Sequence, residues 1–573
     1  MNEKIVWGLL CCGAIALSLS QTGIFRQPLF NPDGLPLLGR FLLASFHPNL
    51  SPDFLRLTLD ATLTTLAYGV CGTFLSVVFG FFGGIFASQV WWFAVFRRVP
   101  KVLWVGLRAL LAAPRAVHEM LWGLLFINIW GLDPLVAIGA IALSFGTVVA
   151  KVFSEILDET PRQSLITLLN SGVSPPKAFL YTLIPQAFLN LLSYAFYRFE
   201  CSIRSAAVLG IIGAGGLGYQ IYLSLQSLRY EELWTLFYAL IFLNGTVDFT
   251  SAWVRDRLGC PSRLEIRKPT VRQDNQTDIS PASPSPRLPL SASSKVSPRL
   301  PVPPSPPLFL LSCSAVFLLL TLFCFWYINP DWNKLRSREI GLFFQTASTA
   351  LFPFRWEDIH PTTLLHLCGQ TLSMSIIAIA LAGLGGILLS FPATRNLFLP
   401  GGLFAPHRQN SPIAYLAFTL TRLLLLLFRA IPAPIWAIVV LFVCFPGILP
   451  GAIALGIHNL GILGRLMAEV NENLPQSPLK ALKAQGTPAS LVFLYGILPL
   501  TFSRFLAYIL YRWEVCLRET IIVGYVGAGG LGRLLLEQRS SLDAQGILIT
   551  LSCLIALTFA VDLTSGLMRR SLR

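Results

Sequence analysis

The sequence predicts an all-α, polytopic membrane fold built from two tandem copies of one transmembrane module. Three observations carry that expectation: an apolar composition, apolar runs of membrane-spanning length, and an internal repeat that keeps one register. Of the 573 residues, 54% are hydrophobic and only 12% charged, with a mean hydropathy of +0.65. That is too little charge to cover a soluble surface of this size. Crossing the hydrocarbon core takes about 20 apolar residues. Runs of that kind recur near 4–21, 58–90, 101–131, 134–152, 183–212 and 231–254, and again near 308–328, 365–391, 412–445, 449–465, 497–526 and 545–568. About six helices per copy, and about twelve transmembrane helices in all, are expected.

The repeat is read directly from the residues. YAFYRFECSIRSAAVLGIIGAGGLG, from Tyr194 to Gly218, aligns without a gap on YILYRWEVCLRETIIVGYVGAGGLG, from Tyr508 to Gly532. The offset of 314 residues also places Arg115 on Arg429, Trp122 on Trp436, Lys151 on Arg465, Glu155 on Glu469, Gly172 on Gly486, Pro185 on Pro499 and Asp248 on Asp562. One register held from Arg115 to Asp248 is a duplication. Between the copies runs Arg255–Pro307, rich in Pro, Ser and basic residues, which has too little apolar surface to offset its ordering entropy. The expected organisation is therefore 1–254, a first transmembrane domain; 255–307, a disordered cytoplasmic linker; and 308–573, a second transmembrane domain.

Charge sets the orientation. The net charge of +15 does not point to nucleic acid, because the basic residues fall in gaps between apolar runs. Arg97, Arg98 and Lys101, then Arg395 and Arg408, the linker, and Arg569, Arg570 and Arg573 all lie on one side when each copy has six helices. By the positive-inside rule that side is the cytoplasm. Both termini are expected there, and an even number of helices makes the copies parallel, related by a pseudo-twofold axis along the membrane normal. Lys4 and the run Ile5–Ser18 resemble a signal peptide, but the matching run Leu308–Tyr327 is internal, so both are expected as retained helices. The eleven Cys form no CxxC and the six His no HExxH, so neither a metal nor a redox site is expected.

Three motifs carry a physical role. The first is the polar loop after the fourth helix, near 153–182 and 467–496, where Gly172 and Gly486 interrupt amphipathic turns and Pro185 and Pro499 are expected to open the next helix. Such a loop either caps the bundle or, present twice on one side, docks a symmetric cytoplasmic partner. The second is Y-x-x-Y-R-x-E-x-x-x-R. Glu200 and Arg204, and likewise Glu514 and Arg518, are spaced to pair on one helical face, which leaves Arg198 and Arg512, beside Tyr197 and Tyr511, without a local partner. Charge at membrane depth faces the bundle interior or an aqueous path, so these groups either fix packing between helices or make a path electropositive. The third is G-x-x-G-A-G-G-L-G, with Gly213, Gly215 and Gly216 matched by Gly527, Gly529 and Gly530. No βαβ context supports a dinucleotide site. The alternatives are close helix packing or a broken helix shaping a gate.

These residues resemble a known family. RAIPAPIW (Arg429–Trp436), GIHNLGILGRLMAE (Gly456–Glu469), ALKAQG (Ala481–Gly486), YRWEVCLR (Tyr511–Arg518) and VGAGGLG look like permeases of the phosphonate/phosphite ABC importers, and the polar Gly loop resembles their coupling loop. The resemblance implies a type I ABC importer permease fold, with two permease copies fused in one chain. It implies coupling loops that include Glu155, Gly172 and Pro185, then Glu469, Ala481, Gly486 and Pro499. It implies a translocation path or gate drawn from Tyr197, Arg198, Glu200, Arg204, Tyr511, Arg512, Glu514, Arg518 and the six motif glycines. The implied partners are two cytoplasmic ABC ATPase subunits, an extracytoplasmic solute-binding protein, the lipid bilayer of a bacterial inner membrane, and a small oxyanion as cargo. No Walker A pattern occurs, so ATP and Mg are expected in the ATPase and no cofactor on this chain. The halves depart from each other and from the family pattern: His118 stands opposite Pro432, Gln186 opposite Leu500, and Ser205 opposite Glu519; Ala433 replaces a usual Glu, and Thr167 and Asn170 replace small residues. Other readings are an importer permease for another small solute, an ion-driven secondary transporter, and a membrane scaffold.

Overall fold

The computed structural model describes residues 3–22, 30–96, 101–259, 306–336, 341, 345, 361–399, 402–404, 412–541 and 543–571. Most of the expected linker, and Arg97, Arg98, Arg408 and Arg573, lie outside these residues. The described chain is helical, with one isolated β-bridge between Phe30 and Cys444.

The first copy runs α1 (Glu3–Gln21), α2 (Leu35–Ala44), α3 (Pro52–Ala87), α4 (Gln89–Phe96), α5 (Lys101–Ala116), α6 (Glu119–Trp130), α7 (Pro134–Glu159), α8 (Gln163–Asn170), α9 (Pro175–Leu209), α10 (Gly216–Gln226) and α11 (Tyr230–Arg257). The second runs α12 (Pro306–Ile328), α13 (Pro361–Ser390), α14 (Pro412–Ala430), α15 (Ala433–Leu441), α16 (Ile448–Glu472), α17 (Gln476–Ala484), α18 (Leu498–Val523), α19 (Gly530–Ser540) and α20 (Ala544–Ser571). Proline opens α3, α7 and α9, where its missing N–H would have had no helical partner. Asp133 caps α7 by accepting the Leu135 N–H at 2.9 Å.

Ten helices among the described residues are long and apolar enough to span a membrane, or eleven counting one bent pair. The expected count of twelve is reached only by including α1, whose apolar stretch Val6–Gln21 is shorter than a full span. The bent pair corrects the single helix expected at 101–131: Val102–Ala116 and Glu119–Trp130 meet at 85°. Pro114 lies just before the break, and His118 caps α6, its Nδ1 accepting the Met120 N–H at 3.2 Å. The second copy breaks at the matched place, with Pro432 as the cap of α15.

Two other boundaries differ from expectation. Pro185 lies inside α9, which already begins at Pro175. Pro499 sits within one continuous span, Ala489–Ala528, directly after a π-helical turn over Val492–Ile497. A widened turn relieves the clash of a helical proline with the preceding carbonyl. At the linker edge α11 continues through Arg257, because Arg255 pairs at 3.0 Å with buried Glu200.

The core of each half is one helix pair, α3 on α7 and α13 on α16. Small residues bring the backbones together: Gly72 and Gly80 of α3 face Ile141 and Val149 of α7. The sequence repeats are not the spatial units, however. The first helix of each copy crosses to the other. α1 packs on α13 and α20, where Ser373 Oγ donates to Gln21 Oε1 at 2.8 Å. α12 packs on α3, with Phe317 edge-on to Phe199, ring centroids 6.3 Å apart. Just beyond it Lys334 Nζ reaches Asp133 Oδ2 at 2.9 Å.

Candidate functional site

The halves meet around a cavity of about 190 Å³, walled by α6, α7 and α9 on one side and by α14, α15, α16 and α18 on the other. Its two walls correspond through the repeat. Tyr197, Arg198 and Arg204 of α9 face Tyr511, Arg512 and Arg518 of α18. These six of the expected path residues converge on one space between the copies.

Glu200 and Glu514 do not belong to the lining. They were expected to pair with Arg204 and Arg518 one turn on, but Glu200 pairs with Arg255 at 3.0 Å and Glu514 with Arg569 at 2.6 Å. A carboxylate one turn away competes poorly with a guanidinium brought by another helix into the same buried place. Arg204 and Arg518 instead donate at 3.4 Å to the backbone carbonyls of Glu200 and Glu514, and Arg518 also donates to the Arg115 carbonyl at 2.8 Å. Arg198 and Arg512, expected alike, differ. Arg512 pairs with Glu519 at 2.7 Å and donates to Asn459 Oδ1. Arg198 donates to the Tyr194 hydroxyl at 2.9 Å and lies over the rings of Phe145, Tyr194 and Tyr197 at 4.9, 5.4 and 5.6 Å. Among the described residues, Arg198, Arg204 and Arg518 have no carboxylate partner in the structure's ion pairs, so three guanidinium charges remain on the wall.

Sequence reasoning missed several lining groups. Glu119 is buried, accepts from Ser205 Oγ at 2.5 Å, and lies 3.3 Å from His118 Nδ1. His458 Nδ1 is 3.0 Å from the Ile431 carbonyl. Arg429 forms an ion pair with Asp248 of the opposite half. The signal was present: each is a polar group inside an apolar run.

The glycine motif lies outside the cavity lining. Gly213, Gly215 and Gly216 have φ of +102°, +93° and +73°, and Gly527, Gly529 and Gly530 +121°, +87° and +68°, values at which a side chain is strained. They turn the chain from α9 into α10 and from α18 into α19. Tyr68 Oη donates to the Ala214 carbonyl at 2.8 Å. Thr65 Oγ1 accepts the Leu217 N–H at 2.8 Å, and Thr371 Oγ1 accepts the Leu531 N–H at 3.0 Å. These bonds satisfy helix-start donors inside the bundle.

The Gly loops repeat just as closely. Gly172 and Gly486 have φ of +81° and +79° and end α8 and α17. Gly172 N–H donates to the Leu169 carbonyl and Val173 N–H to Leu168, at 3.2 and 3.1 Å, and Gly486 and Thr487 repeat the pattern on Lys483 and Leu482. This is the paired reverse bonding that closes a helix with a left-handed residue. Glu155 and Glu469 pair with Lys151 and Arg465 at 4.0 and 2.8 Å. Ala481 is exposed on α17.

A duplicated helical bundle around a charged cavity between its halves, with a matched polar loop in each copy, is the build of a membrane transport permease. The family model described as binding-protein-dependent transport system inner membrane component matches residues 77–259 and 400–573, once in each half. The chain belongs to that family and carries its domain twice. It is 25% identical over 470 residues to the phosphate-import permease protein PhnE of Mycolicibacterium smegmatis, covering 81% of this chain and 77% of that one. It is 33% identical over 201 residues to the phosphite transport system permease protein PtxC of Stutzerimonas stutzeri, covering 35% of this chain and 68% of the relative. Among solved structures, the inward-facing MetNI methionine ABC transporter matches with 16% identity and a TM-score of 0.33, over 38% of this chain and all of that one.

Proposed function

We propose that this chain is a permease, with two permease copies fused, of an ATP-driven importer that takes up a small phosphorus oxyanion: a phosphonate, phosphite or phosphate. The observation that carries the reading is the cavity between the halves, where Arg198, Arg204 and Arg518 have no carboxylate in ion-pair contact and outnumber the one remaining lining carboxylate, Glu119. A low-dielectric, positively charged space stabilises an anion in transit. The names of the M. smegmatis and S. stutzeri relatives point to the same cargo class.

In this reading the loops around Gly172 and Gly486 dock two separate cytoplasmic ABC ATPase subunits, which hold ATP and Mg. Exposed Tyr181 and Tyr495, 78% and 73% accessible at matched positions beside the loops, suit such a contact. A solute-binding protein delivers cargo from outside, and both termini lie in the cytoplasm of a bacterial inner membrane. ATP-dependent closure of the ATPase pair then drives alternating access.

The test is uptake of labelled phosphite, phosphate and a phosphonate by proteoliposomes holding the chain, its ATPase and its binding protein. Accumulation that requires ATP supports the reading. Accumulation on an ion gradient with no ATPase present makes the chain a secondary transporter instead.

A further inference from the structure

Resting on the oxyanion reading above, we infer that the cavity holds one anion site rather than two, on the first-copy wall, and that Glu119 there selects an anion carrying its own hydroxyl. The repeat relates Arg198 to Arg512, yet their surroundings are of opposite kind. Arg512 faces Asn459 and Glu519, and its charge is spent on the Glu519 carboxylate at 2.7 Å. The residues matched to these in the first copy are Phe145 and Ser205. Arg198 therefore lies over the Phe145 ring at 4.9 Å. Stacking occupies the face of a guanidinium and leaves its in-plane donors; the Nε–H goes to the Tyr194 hydroxyl, and the terminal N–H groups remain for an oxyanion.

The carboxylate missing beside Arg198 stands elsewhere on the same wall. Glu119 is matched to Ala433, so only the first copy has an acid at that place. Its Oε1 accepts from Ser205 Oγ at 2.5 Å, its Oε2 lies 3.3 Å from His118 Nδ1, and it lines the cavity. A carboxylate offers about four acceptor sites, so acceptor capacity remains toward the cavity. A fully ionised tetrahedral anion such as sulfate brings only acceptors and is repelled there. A phosphorus oxyanion that keeps one P–OH brings a donor, which Glu119 accepts while the arginines hold the ionised oxygens. A site built around a substrate hydroxyl rejects analogues that lack it, because its own polar group is left unpaired.

The experiment measures binding of inorganic phosphate and inorganic sulfate to the purified full chain in nanodiscs by calorimetry near neutral pH, alongside ATP-dependent uptake by the complete complex. One hydrogen bond to a charged acceptor corresponds to roughly tenfold to a hundredfold in affinity, and phosphate is expected to bind tighter than sulfate by that factor. Glu119→Gln is expected to collapse the ratio, since an amide also donates to sulfate, whereas Arg198→Gln weakens both anions together. Should Glu119→Gln not fold, Ser205→Glu tests the same wall: it sets a carboxylate beside Arg198 as Glu519 stands beside Arg512, and is expected to abolish phosphate binding. Equal affinities in the unmodified chain, an unchanged ratio in Glu119→Gln, undiminished phosphate binding in Ser205→Glu, or no phosphate binding at all while uptake proceeds would each overturn the inference and leave the oxyanion reading intact. Absence of uptake of every phosphorus oxyanion defeats that reading itself.

Discussion

Arg429, in the last turn of α14, forms an ion pair with Asp248 of α11 and so ties the second copy of the module to the first. Arg115 and Asp562 occupy the mirrored positions, and Asp562 lies within electrostatic reach of Arg115. Each arginine sits just before a break in its copy, Arg115 ahead of α6 and Arg429 ahead of α15.

Removing one partner strands a charge that is mostly out of water. Arg429 and Asp248 side chains are 17% and 22% exposed, so the cost falls between that of a surface pair and a fully buried one, about 1–3 kcal/mol. Asp248→Asn is expected to lower the thermal stability of the detergent-solubilised chain accordingly, and Asp248→Arg with Arg429→Asp to recover part of the loss. A double-mutant cycle with no coupling between the positions would remove the tie.

The crossover of first helices is checked with native thiols. Cys71 of α3 and Cys324 of α12 are buried in one apolar cluster. Mild oxidation followed by cleavage between residues 260 and 305 is expected to leave the fragments joined on a non-reducing gel. Cys71→Ser separates them. Fragments that part in the unmodified chain would place α12 elsewhere.

Gly172→Ala and Gly486→Ala each force a side chain into a left-handed turn, a strain of roughly 1–2 kcal/mol. The loops should reshape while the bundle persists, since neither glycine has a neighbouring atom within 4 Å of an added Cβ. The expected outcome is normal membrane insertion with reduced ATP-dependent uptake, and milder effects for Asn, which tolerates that conformation. Full uptake by the doubly substituted chain would show that the loop geometry does not transmit the ATPase stroke.

Thr65→Val and Thr371→Val keep shape but remove the oxygen that accepts the Leu217 or Leu531 N–H. An orphaned buried donor costs about 1–3 kcal/mol. Each variant should melt lower, and hydrogen exchange should quicken at the start of α10 or α19 first. Unaltered exchange there would mean that the glycine turns hold themselves.

Much of this architecture was legible in the sequence. The helical, membrane-spanning character followed from composition, and the duplication from a register that ran from Arg115 to Asp248. Gly172 and Gly486 read correctly as helix interruptions because their effect is local to the backbone. Pro185 misled for the same reason: proline signals a helix start, yet packing of α9 carries the helix through it. The pairing of Glu200 with Arg204 followed a rule of local spacing and failed because α11 brings Arg255 within 3.0 Å of the same carboxylate.

By itself, then, the sequence determined the properties that depend on neighbours in the chain: apolar spans, their number to within the short α1, the repeat, and the positions of glycine turns. Tertiary structure alone decided which charge meets which, that α1 and α12 exchange places, and that matched arginines stand in unmatched surroundings. Coulombic and packing partners are chosen by distance in space. Helices far apart in sequence, such as α11 and α14, supply them, and two differences between the copies, Phe145 matched to Asn459 and Ser205 matched to Glu519, give Arg198 and Arg512 different chemistry.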